Sequence, residues 1–89
     1  MIERDNIKIV RHFKGGRGRF ANWFVLYDTR TNRSSAQSKR EMILFFTQQF
    51  GKVGEKWDFD YARSQSNQWV LKLDKESDAT LFSLKYQRI

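Results

Sequence analysis

Cysteine is absent from this 89-residue chain, which excludes disulfides and zinc–thiolate sites. Histidine occurs once, at His12, too few for a histidine metal site, so no metal and no cofactor is expected. Long apolar runs are missing too. None exceeds the five residues of Met42–Phe46, far short of the roughly 20 that a membrane span needs. The opening Met-Ile-Glu-Arg-Asp does not read as a signal peptide, so a reducing, cytoplasmic setting is expected and no membrane partner. Acidic residues are scarce in one half only. Residues 1–40 hold ten Lys and Arg against three acids, whereas residues 41–89 hold seven against seven. The whole net charge of +7 therefore lies in the first half, the distribution that a localised polyanion footprint leaves.

What the chain does have is aromatic side chains, at 16% within a hydrophobic share of 39%, which argues against a disordered basic tail. At this length residues 1–89 are expected to form a single domain whose core is built largely from Phe and Trp.

The chain is organised around Lys8–Asp28. Ile7–Phe13 and Phe20–Asp28 are predicted strands, rich in β-branched and aromatic residues. Gly15, Gly16 and Gly18 supply the turn's positive-φ positions. The tip carries Lys14, Arg17 and Arg19 into solvent beside Phe20, and Lys8 and Arg11 extend the basic track along the first strand. Strict alternation puts Ile7, Ile9, Arg11 and Phe13 on one face and Lys8, Val10, His12 and Lys14 on the other. The second strand is apolar on both faces, Trp23, Val25 and Tyr27 against Phe24 and Leu26, so it is expected at the centre of the sheet.

A polar connector, Asp28–Ser35, leads to a helix. Ser34 with Gln37, or Ser38 with Glu41, offers a capping box, and Gly51 a stop. Ile43, Phe46 and Phe50 form one stripe, which leaves Leu44 and Phe45 surplus. Trp57–Ala62 alternates as a half-exposed strand. Gln68–Asp74 follows with Trp69, Leu71 and Leu73 inward and Val70 and Lys72 outward. Residues 76–89 read as a helix capped by Ser77 or Asp78 with Ala79, Phe82, Tyr86 and Ile89 on one stripe, or as a strand alternating at Phe82, Leu84 and Tyr86; the cap and Ala79 favour the helix. Asn22–Asp28 also echoes Gln68–Asp74, each following a strand and preceding a capped helix with Leu-Phe. The expected fold is therefore α+β, a four-stranded antiparallel sheet with two helices on one face, in the order ββαββα.

The closing strand followed by Ser77–Tyr86 (SDATLFSLKY) resembles the ends of small accessory proteins of T4-like tailed phages. That resemblance implies a protein working in the host cytoplasm against a host or defence factor.

Two features point to phosphate. Arginine offers bidentate geometry and glycine lets backbone N–H groups face an anion, so the hairpin tip suits a polyanion, with Phe20, Trp23 and Tyr27 near for base stacking. At the helix start, Ser34, Ser35 and Ser38 stand with Lys39 and Arg40, and Arg30 and Arg33 lie just upstream. Cations there oppose the helix dipole, a cost that a bound phosphate reverses. Asp58 and Asp60, with no nucleophile or second histidine, do not amount to a catalytic set, and His12 alone lacks the partner a ribonuclease needs. The expected function is a non-enzymatic nucleic-acid-binding protein, RNA favoured over DNA, through Lys8, Arg11, Lys14, Arg17, Arg19, Phe20, Arg30, Arg33, Lys39 and Arg40. The alternative is an inhibitor or adaptor of a protein target. A homodimer is expected through the apolar flank Leu44, Phe45, Leu81 and Leu84.

Overall fold

A computed structural model describes residues 2–15, 18–30, 34–61, 64 and 67–89. A 3-10 turn, Arg4–Asn6, precedes β1 (Ile7–Lys14) and β2 (Asn22–Asp28). Then come α1 (Ser35–Phe50), β3 (Trp57–Phe59), β4 (Gln68–Leu73), α2 (Glu76–Lys85) and β5 (Gln87–Arg88). The strands form one mixed sheet in the order β3-β4-β2-β1-β5.

The class is α+β with two helices, but the sheet has five strands, not four, and is not wholly antiparallel. The chain leaves α2 at Tyr86, turns extended, and Gln87 and Arg88 pair parallel with Lys8 and Ile9. The Ile89 N–H donates to the Ile9 carbonyl at 2.9 Å, satisfying part of an edge that β1 would otherwise leave open. Ile89 thus leaves its predicted helical stripe and is exposed, while Ala79, Phe82 and Tyr86 keep theirs and are buried. Neither Ser77 nor Asp78 is the cap. Lys75 holds that position without a side-chain bond, and Glu76 and Asp78 sit in the first turn, where acids favour the dipole.

β2 lies at the centre, as its two apolar faces required, paired with β1 and with its sequence echo β4. A β-bulge changes the faces of β1. Ile9 pairs with Leu26 and Arg11 with Val25, so Val10 is an extra residue opposite nothing. Beyond it the alternation inverts: His12 joins Ile7 and Ile9 on the core side, stacked on Phe24 at 4.1 Å, and Arg11 and Phe13 turn to the reverse face. Strict alternation had put those pairs the other way round.

α1 starts at Ser34, whose Oγ accepts from the Gln37 N–H at 3.2 Å while Gln37 Oε1 accepts from the Ser34 N–H at 3.1 Å. It stops at Gly51, with φ +88°. Its Met42 and Phe46, with Ala79 and Phe82 of α2, pack into one core with Ile9, Phe24, Leu26, Trp57, Phe59, Leu71 and Leu73. Phe46 and Phe82 tie the layers together, 6.0 Å apart, with Phe46 on Trp57 and Phe59 and Phe82 on Phe24. Among the described residues, no helix is long and apolar enough to cross a membrane.

Candidate nucleic-acid interface

With the helices packed against the Phe24 side, no helix or strand among the described residues lies over the reverse side of the sheet, although Val70, expected outward and in register with Val25 there, is buried at 4% exposure. Phe13, Trp23 and Val25 are half-buried there and Tyr27 is 40% exposed. A ladder of rings and cations crosses this face. The Arg11 guanidinium lies over Phe13 at 4.9 Å, and Phe13 meets Trp23 at 5.7 Å. Lys72 Nζ stands 5.6 Å from the Trp23 ring and 5.8 Å from Phe20, and Arg19 covers Phe20 at 5.4 Å. Lys8 is on the same face, donating to Gln87 Oε1. The strand pairing makes this ladder, because Trp23 is in register with both Phe13 and Lys72. Phe13 and Lys72 were not among the predicted site residues. The outward position of Lys72 is legible in its strand, but its place beside Trp23 needs the β2–β4 register.

Trp23 is held from two sides. Its Nε1–H donates to the Phe20 carbonyl at 2.7 Å, and a Cβ at Gly15 would fall 2.0 Å from Nε1. Gly15 therefore serves close approach to the indole. In the turn, Gly18 supplies a positive φ of 108°, whereas Gly16 lies outside the described residues.

The predicted phosphate contacts divide. Arg11 and Arg40 are exposed, and Lys39 lies 4.7 Å over the Tyr61 ring. Arg17 and Arg33 fall outside the described residues. Arg19 is not loose on the tip: it donates to Asp74 at 3.2 Å and to the carbonyls of Gly54, at 3.3 Å, and Glu55, pinning the hairpin to the loop before β3. Lys14 donates to Asn22 Oδ1 at 2.8 Å and to Glu76 at 2.5 Å, and Asn22 Nδ2 reaches Glu76 at 3.1 Å. His12 Nε2 lies 3.3 Å from Asn22 Oδ1. This network fastens the hairpin to the start of α2. Its hydrogen bonds, Lys14 first and Asn22 second, hold the Glu76 carboxyl below its ordinary value.

Arg30 is the clearest departure. Its side chain is only 9% exposed and lies between two carboxylates, with Asp28 Oδ2 at 2.8 Å and Glu41 at 2.6 Å. Asp28, 1% exposed, also accepts from the Arg30 Nε at 3.1 Å and backbone N–H at 3.0 Å. The hydrogen bond to Asp28 raises the guanidinium's pKa above its ordinary value against desolvation, with Glu41 adding to it. Asn67 Nδ2 donates to the Asp28 carbonyl at 3.3 Å and the Arg30 carbonyl at 3.2 Å. Arg30 is thus bound into the fold, clamping the end of β2 to α1. The predicted cradle at the helix start is also altered, because Ser38 is buried and Ser34 is occupied as the cap.

The predicted apolar flank is not one seam. Leu44, 63% exposed, borders a groove with Ile2 and Phe45, and Phe45 itself packs on Phe46 and Tyr86. Leu81, 63% exposed, lines the cleft between the helices, whereas Leu84, 80% exposed, borders a groove with His12 between α2 and β1.

Among the described residues, no group of three or more His, Asp or Glu is placed to hold a metal ion. No protein-family model, no curated protein and no solved structure matches the chain.

Proposed function

We propose that this chain is a small, non-enzymatic nucleic-acid-binding protein that takes its ligand, RNA in preference to DNA, on the open face of the sheet. The observation that carries the reading is the ladder Arg11–Phe13–Trp23–Lys72–Phe20–Arg19. It combines the two contacts that nucleic acid offers every binder, phosphate charge and base π-faces. RNA is favoured because a sheet bearing exposed aromatics suits unstacked bases, which RNA presents in loops and ends. Lys8, Arg11 and Lys72 are the phosphate contacts, and Arg30 leaves the expected set.

The test is a salt titration of binding for the wild type and an Arg11→Ala/Lys72→Ala double variant. Each lost phosphate contact should reduce the slope of log K on log salt by about 0.7–0.9. A slope and an affinity both unchanged in the double variant would take the open face out of the binding site.

Leu81 and Leu84 favour a second reading, in which the helical side contacts protein, a second copy or the host or defence factor implied by the phage resemblance. Sedimentation as a strict monomer at micromolar concentration would remove the homodimer.

A further inference from the structure

We propose that the open face selects single strands over duplexes, and that it binds by exchange: unpaired bases take the ring faces of Trp23 and Phe20 that Lys72 covers in the free protein, and the displaced ammonium moves to the adjoining phosphate. This rests on the nucleic-acid reading above and specifies its ligand.

The seat is fixed and its cover is not. Trp23 is held by the Phe20 carbonyl at 2.7 Å and by the close approach of Gly15. Phe20 keeps Arg19 over it at 5.4 Å, and that guanidinium is tied down by Asp74 and the carbonyls of Gly54 and Glu55. Lys72 is different. Its ammonium sits between the two rings, at 5.6 and 5.8 Å, on a flexible four-carbon stem. A lone cation over a half-buried ring at the surface is held by less than a stacked base gains there, so a base is the stronger partner for the same face. Once displaced, the ammonium stands beside the strand's backbone, where its charge is worth more. A duplex cannot make this exchange, because its bases are already stacked and paired and it offers the flat sheet only phosphates.

The probes are a short labelled oligouridylate and an RNA duplex with the same number of phosphates, followed by anisotropy across a salt series. Two stacked bases at about tenfold each predict roughly 100-fold tighter binding of the single strand. The strand should also quench tryptophan emission through Trp23, since Trp57 and Trp69 are buried, and the duplex should not. Phe20→Leu should cost the single strand about tenfold and the duplex nothing. Lys72→Ala removes the lysine's own cover from the two rings, with Arg19 still over Phe20, while losing one phosphate contact. It should therefore weaken single-strand binding at low salt and leave it equal or tighter at high salt, so that the two salt plots cross. This lysine variant carries the decision if Phe20→Leu melts out of the fold.

Equal affinity for strand and duplex, or parallel salt plots with Lys72→Ala weaker throughout, would overturn the exchange and leave phosphate binding standing. Binding of neither probe at low salt would overturn both.

Discussion

Replacing Arg30 with methionine separates a cation that builds the fold from one that meets a ligand. Methionine keeps most of the apolar stem's volume but deletes the guanidinium. Asp28, 1% exposed, then loses its bonds to Nε and Nη2 and keeps, from residue 30, only the backbone N–H at 3.0 Å. Glu41 loses its 2.6 Å partner but is 21% exposed and recovers some water. Removing one member of a buried pair costs about 3–5 kcal/mol, and the partial exposure of Glu41 argues for the low end, about 3 kcal/mol. A domain of this length has roughly 4–13 kcal/mol in total. Melting should therefore fall by roughly 12–24 °C at about 4–8 °C per kcal/mol. Urea and thermal unfolding followed by circular dichroism measure this, and an Asp28→Asn/Arg30→Met double variant should recover part of the loss by leaving no buried charge alone. A phosphate-contacting Arg30 would behave oppositely, moving stability by no more than about 0.5 kcal/mol while flattening the salt dependence of binding. That pair of results would refute the clamp.

Gly15→Ala should cost about 1–3 kcal/mol by overpacking against the indole, with a shift in tryptophan emission as Trp23 is displaced from its Phe20 carbonyl. The Glu76 carboxyl is held down chiefly by Lys14, so its contribution is complete above the ordinary glutamate value and is lost as pH falls through the lowered one. Urea midpoints across the acid range should fall less steeply in Glu76→Gln than in the wild type. Burial pushes the Tyr86 phenol from 10.0 to about 12, against a lowering bond to Gln49, so its contribution is whole below pH 10 and is lost as pH rises toward 12. Burial and Asp58 also raise the Tyr61 phenol, so phenolate absorbance should show Tyr86 as the last of the late-titrating tyrosines, and Tyr86→Phe should remove that last step and flatten the alkaline loss of stability.

Several features of this protein are written locally. The Ser34–Gln37 box and Gly51 bound α1 because a cap is a bond between residues three or four apart, settled wherever the helix lies. The inward Trp69, Leu71 and Leu73, the central place of β2 and the Phe–Trp core follow from period and composition. The charge asymmetry is likewise a property of the sequence.

Other features exist only once distant segments meet. The bulge at Val10 depends on β1 and β2 finding a register that buries Ile9 and stacks the His12 ring on Phe24, and one extra residue reverses every side chain beyond it. β5 depends on pairing with β1 from the opposite end of the chain, a contact that two residues of such weak strand character could not announce. Arg30 looks like any other cation of the basic half until Asp28 and Glu41 close on it, and the Lys72 ladder appears only when β4 lies against β2. Composition shows how many cations there are. Whether a given cation is bound into the fold or left for a ligand depends on where the carboxylates and rings come to rest, and long-range packing decides that.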